Sequence, residues 1–371
     1  MTNHRFYALP VRALCRLAIA LAGILLTAGL DHLAAAQGPE AISVVASTVP
    51  ANGDVNPYGV AIVPNSVGNL KQGDILVSNF NNSQNQQGTG TTIVDVSPHG
   101  SVSVFATIDA QSLPSPCPGG VGLTTALAVL RTGWVIVGSL PTADGTSETA
   151  QAGCLLVLSS TGQVVETFYG SLVNGPWDMT ALDQGSQVTL FYTNVLNGTV
   201  VGGGSVVNEG TVIRMVLNVS PSSMPAIQSM TVIGSGFPER TDPAALVIGP
   251  TGVGLGGNTL YVADSVSNRI AAIPNAIART TSAGTGTTVT TGGSLDDPLG
   301  LAIASNGNIL TVNGDDGRLV VTTPAGMQVG KTLLDNNGSP PGNGALFGLA
   351  VTGPSSVYYV DDATNTLNLT R

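Results

Sequence analysis

Two windows, "GPTGVGLGGNTLYVADSVSNRIAAIPN" (249–275) and "DPLGLAIASNGNILTVNGDDGRLVVTTPAG" (297–326), follow one plan. Each starts on Pro-x-Gly, runs into a short apolar stretch, turns on Asn or Gly, and gives a second stretch closed by a polar residue, then a third. The plan recurs at 56–82, at 344–370, and more loosely at 118–142 and 175–199. Internal repetition of this kind constrains a fold before any site is considered. The second stretch ends in Asn79, Ser139, Asn194, Asp264, Asn313 and Asp361, a small polar residue in every copy.

Within a copy, apolar and polar residues alternate as in half-buried strands, and Gly/Asn pairs mark the turns. The first copy supplies "GVAIV", "GDILVSN", "TTIVDVS" and "SVSVFAT". One such four-stranded sheet cannot bury both faces, whereas radial stacking covers them and leaves only short edges. The expected fold is therefore all-β: a six-bladed β-propeller of four-stranded antiparallel blades. The expected blades are 56–107, 118–170, 174–233, 249–292, 297–334 and 344–371. The sixth copy has only three strands, and "AISVVASTV" (41–49) stands ahead of the first. Placing that N-terminal strand on the outside of the last blade closes the ring.

The Pro-x-Gly … Gly-Asn-x-Tyr-Val-Ala-Asp-x-x-x-Asn-Arg pattern resembles NHL repeats. Residues 249–270 carry nearly all of it, 297–319 most, and 56–82 and 344–370 part. The resemblance implies a single six-bladed propeller over 37–371. It is shared more distantly with gluconolactonase/regucalcin-type propellers, in which a Glu on the first inner strand joins Asn and Asp residues around a metal. Here the first copy offers Asn56 and Tyr58 in place of that acid, a departure that counts against the family's activity, while Asn194 with Asp264 or Asp361 is expected at the other ligand positions.

Residues 1–36 form a separate unit. Arg5, Arg12 and Arg16 precede an uncharged run of 14 residues (17–30), and Ala34 and Ala36 follow. This is the layout of a secretory signal peptide; a span needs roughly 20 apolar residues, so an uncleaved anchor is the second reading. The expected location is secreted or periplasmic. Three of the 12 Lys/Arg and one of the 22 Asp/Glu fall in this segment, which leaves a net charge of −12 on the remainder. A surface of that sign repels nucleic acid. Cys117 and Cys154 fall in one copy, where an oxidising compartment favours a disulfide; two free thiols is the other reading.

Candidate chemistry is sparse. The six residues closing the second strands are either turn-capping Asx groups or oxygen ligands for Ca²⁺ or another divalent cation. The residues at the middle position of the Pro-x-Gly phrase or its equivalent, namely Tyr58, Val121, Trp177, Thr251, Leu299 and Phe347, are expected near one rim of the tunnel. There the three aromatics suggest a stacking platform or simple packing. Asp178 stands where most copies have Gly, and a carboxylate on an inner strand must be solvated, hydrogen-bonded or metal-bound. It is the candidate catalytic residue and, with Asn194, Asp264 and Asp361, a candidate metal ligand. The pairs Asp296–Asp297, Asp315–Asp316 and Asp361–Asp362 read as loop turns. Beyond residue 36 the one histidine is His99, so a His-rich metal site is excluded, and no Gly-x-Ser-x-Gly elbow accompanies it.

The sequence thus favours a monomeric module that needs no cofactor and binds a protein, glycan or small ligand on one face of the ring. The alternatives are a metal-dependent lactonase or related hydrolase, and an inert wall or matrix component.

Overall fold

The computed structural model describes residues 41–353 and 356–371; the expected signal segment lies outside them. Six antiparallel sheets stand around a central axis. The first is Val55–Ile62, Ile75–Asn81, Thr92–Val96 and Val102–Thr107; the second is Leu123–Val129, Val135–Ser139, Cys154–Leu158 and Val164–Phe168. The third begins Pro176–Asp183 and Gln187–Asn194 and continues into a long hairpin, Val207–Ser220 with Ser223–Asp242. The fourth is Pro250–Gly256, Thr259–Asp264, Arg269–Pro274 and Thr287–Thr291; the fifth is Pro298–Ile303, Ile309–Asn313, Arg318–Thr322 and Gln328–Leu333. In the sixth, Leu346–Val351, Val357–Asp361 and Thr366–Thr370 are completed by Ile42–Ser47. The chain's first described strand therefore seals its last blade, with Ile42 opposite Thr370 and Ser47 opposite Thr366.

Burial follows from the alternation in each strand. The apolar residues of one sheet meet those of the next, so the core is divided into seams between blades, such as Leu76 and Ile93 with Val137 and Leu156. The inner strands touch in order round the ring, and the last touches the first. Glycine makes that approach possible. A Cβ on Gly252, Gly300 or Gly348 would run into the backbone carbonyl of Leu299, Phe347 or Tyr58 on the next inner strand. Between blades 1 and 2 a hydroxyl clasps the seam: Gly59 N donates to Ser78 Oγ (3.0 Å), which donates to Thr124 O (2.8 Å). Blade 3 repeats this clasp onto blade 4, from Asp178 N to Thr193 Oγ (3.2 Å) and on to Thr251 O (2.7 Å).

Each inner strand carries a β-bulge at the Pro-x-Gly phrase. Five blades gain one residue there, as where Pro250 faces Asp264 and Val253 faces Val262. Blade 2 gains two, because Leu123 faces Ser139 and Leu127 faces Val137. Its place in the rim column therefore belongs to Thr124 and Thr125, and Val121 packs instead in the seam between blades 1 and 2. The register corrects the expected position of Val121.

Blade 3 departs from the four-stranded plan. After its long hairpin the chain adds a fifth strand, Leu246–Ile248, paired with Arg240–Asp242. This short arm folds over one mouth of the tunnel.

Candidate functional site

The mouth beneath the arm is closed. Tyr58, Trp177, Leu299 and Phe347 converge from blades 1, 3, 5 and 6 and pack with Leu140, Val195 and residues 245–248. Tyr58 stacks on Phe347 (3.9 Å between centroids) and on Phe80 (4.4 Å). The Trp177 indole donates to Val247 O (3.1 Å) and Gln87 Nε2 to Pro243 O (2.7 Å), so side chains from two blades hold the arm down. Tyr58, Trp177 and Phe347 are 2%, 3% and 1% exposed. At that burial they form a plug, and the expected stacking platform is not open to a ligand.

The residues closing the second strands are committed locally. Asn79 Nδ2 donates to Thr48 O (2.9 Å), and Ser139 Oγ bridges Gly122 N and Gly120 O, each at 3.0 Å. Asn194 Oδ1 accepts from Asn174 N (3.0 Å) and Gly175 N (2.8 Å). Asp264 binds the Arg269 guanidinium at 2.8 Å. Asn313 Nδ2 donates to Ser294 O (2.8 Å), and Asp361 accepts from Thr364 N (3.1 Å). Asp264 and Asp361 order the turn that follows, as Asx groups do, whereas Asn79, Ser139, Asn194 and Asn313 tie back to the segment ahead of their own blade's inner strand. Among the described residues, no three His, Cys, Asp or Glu side chains gather to hold a metal. Asp178, Asp264 and Asp361 therefore do not form one carboxylate cluster. Cys117 and Cys154 form a disulfide, with Cα atoms 5.3 Å apart.

Below the plug the tunnel widens into a cavity of about 330 Å³. All six inner strands line it; Leu127, Val253, Leu301 and Leu349 are buried in the seams between blades, and the accessible wall is more polar than apolar. Exposure rises along the strands: Thr251 and Leu299 are buried at the plug, whereas Val129, Ala181, Leu255, Ile303 and Val351 are half-buried at the far end. The cavity thus opens at one mouth only. A shallow recess of about 490 Å³ between blades 4 and 5 shares Leu255 and Ile303 with it and adds Tyr261 and Pro324.

Asp178 lines this cavity, and among its described lining residues Asp178 is the single titratable side chain. Its Oδ2 accepts from Val253 N at 2.9 Å. Other copies bring backbone against backbone at this level, but blade 3 inserts a carboxyl group that takes the next strand's amide. Burial pushes its pKa up to about 7, opposed by the amides of Val253 and Met179.

On the plugged face, Asp242, Asp296, Asp297 and Asp315 share a separate recess of about 400 Å³ with Arg240. Burial, then the charges of Asp315 and Asp242, push Asp297 up to about 7; Arg240 is paired with Asp242 at 2.7 Å. Elsewhere Glu239 is fully buried, accepts from Asn197 N (3.0 Å) and is pushed up to about 9 by burial. No pattern in the repeats marks Glu239, because it lies in the long hairpin strand, Ser223–Asp242, that only blade 3 possesses.

No family model matches the sequence, and no curated protein matches it. Solved structures do. A luciferin-regenerating enzyme aligns with a TM-score of 0.56 at 10% identity, over 89% of this chain and 95% of that one. Regucalcin from Agrobacterium tumefaciens, described as a calcium-binding protein, aligns at 0.55 and 14% identity over 90% and 94%. A gluconolactonase from Xanthomonas campestris aligns at 0.53 and 12% identity, over 89% of each chain. The chain is a six-bladed β-propeller that shares its fold with gluconolactonase and regucalcin structures.

Proposed function

We propose that this NHL-like propeller acts outside the cytoplasm as a binding module for a small ligand that enters the tunnel from its open mouth. The observation that carries this reading is the one-ended tunnel, closed above by the plug and lined by Asp178, Thr125 and Thr180 among aliphatic residues of all six inner strands. A concave site with a few convergent polar groups is where a small ligand is held and oriented. The Cys117–Cys154 disulfide and the leader-like residues 1–36 support the extracytoplasmic setting. Titration with the neutral fluorophore N-phenyl-1-naphthylamine tests the reading. Saturable one-to-one binding, lost when Ala181→Trp fills the open mouth, is expected; no saturable binding, or binding indifferent to Ala181→Trp, contradicts it.

The gluconolactonase/regucalcin likeness favours a second reading, hydrolysis of a lactone or related ester. Asp178, with a pKa near 7, has the character of a general acid or base for such a reaction. Lactone hydrolysis by the purified protein, assayed with and without added Ca²⁺ or Mn²⁺ and abolished by Asp178→Ala, would establish the hydrolase in place of the binding module.

A further inference from the structure

The inner end of the tunnel holds the one titratable side chain among its described lining residues. Asp178 of blade 3 and Thr125 of blade 2 both line it, each within the bulge of its inner strand. Thr125 is 4% exposed and its hydroxyl has no hydrogen-bond partner; neither has that of the adjacent Thr124. These two hydroxyls sit in the bulge of blade 2, which is one residue longer than that of any other blade. Burying a hydroxyl without a partner costs about 1–3 kcal/mol, so the pair is set against stability unless something else bonds to it.

Asp178 poses the matching question of charge. Its carboxylate receives the amides of Val253 and Met179, and no Lys, Arg or His is among the described lining residues. Every other group around it is aliphatic or hydroxylic. A carboxylate so placed lacks a counter-charge, and a cation reaching it through the open mouth would meet a strong field in a water-poor setting. A metal ion does not suit the place, since no second carboxyl faces the cavity. An organic ammonium does: its N–H groups donate to Asp178 and Thr125, and its hydrocarbon part lies toward the open mouth along the half-buried Leu255, Ile303 and Val351.

We propose that the tunnel takes a small primary alkylammonium compound, with the ammonium at Asp178 and Thr125 and the apolar tail toward the open mouth. This rests on the tunnel being a ligand site. The ionised carboxylate is the binding form, so affinity for an amine falls as pH drops below Asp178's pKa of about 7. Alkylamines stay protonated well above that range. No other titratable group among the described residues lines the cavity to share the effect.

Competition against N-phenyl-1-naphthylamine with n-hexylammonium, 1-hexanol and hexanoate provides the test. At about pH 8 hexylammonium should displace the fluorophore at roughly tenfold lower concentration than hexanol, and hexanoate hardly at all. The amine-to-alcohol ratio should collapse in Asp178→Asn, narrow in Thr125→Val, and narrow in the unaltered protein at about pH 5. The pH series needs no variant, so the test survives if Asp178→Asn fails to fold. Equal displacement by amine and alcohol, or a preference that persists in Asp178→Asn, overturns the ammonium assignment alone. Failure of the fluorophore to bind at all overturns the tunnel as a site.

Discussion

At the residue scale, the two positions that matter most stand side by side in the third copy: Trp177 and Asp178. Trp177 points into the plug and Asp178 into the cavity, so adjacent residues divide the axis into a closed half and an open half. The cost of losing plug residues should be that of any large core side chain. Trp177→Ala is expected to lower unfolding free energy by about 3–5 kcal/mol, measured by urea denaturation. Glycine at 300 is equally constrained, since a Cβ there would enter the Phe347 carbonyl. Gly300→Ala should destabilise by at least about 1–3 kcal/mol, and by the same measurement an effect near zero would show that the inner strands can separate freely. Asp178 was legible as the odd member of a glycine column. The burial of Tyr58, Trp177 and Phe347 was not, because the arm that covers them comes from another part of the chain. Nor was the register of blade 2, where "GVGLTT" satisfies the repeat at Val121 but the ladder seats Thr124 and Thr125.

At the element scale, strand existence followed from alternation and turn residues, and the closing strand from an orphan segment matched to an incomplete copy. What alternation could not supply was the fifth strand of blade 3. "AALVIGP" (244–250) is apolar enough for a strand, but nothing local says which mouth it covers. Leu246 takes a positive φ of 63°, costly for a residue with a side chain, and is held there by burial in the plug. The disulfide ties the loop ahead of blade 2 to that blade's third strand across 37 residues. Replacing Cys117 and Cys154 together by Ser should cost about 3–4 kcal/mol in the loop-entropy picture, again readable from urea midpoints.

At the scale of the whole molecule, the chain buries carboxyl groups with few basic residues to pair them. Burial is the first cause in raising Asp178, Asp297 and Asp362 to about 7, Asp95 and Asp361 to about 6, and Glu239 to about 9. Each binds its proton more tightly folded than unfolded. The stability this contributes is complete at low pH, declines once the unfolded groups ionise above about pH 4, and is gone above the folded values. The melting temperature should therefore be higher near about pH 5 than near about pH 8. Glu239→Gln should flatten the part of that slope approaching pH 9; a melting temperature that rises from about pH 5 to 8 would contradict the assignment of these acids as buried and neutral.

The central claim is that the tunnel is open at one mouth and sealed at the other, and thiol reactivity measures it directly. Both cysteines among the described residues are joined in a disulfide, so an introduced cysteine reports its own surroundings. Ala181→Cys, at the open mouth, should react with a maleimide at close to the rate of an exposed thiol. Leu299→Cys, in the plug, should react only as fast as the protein unfolds. The reverse order, or equal and rapid reaction at both positions, would contradict the account.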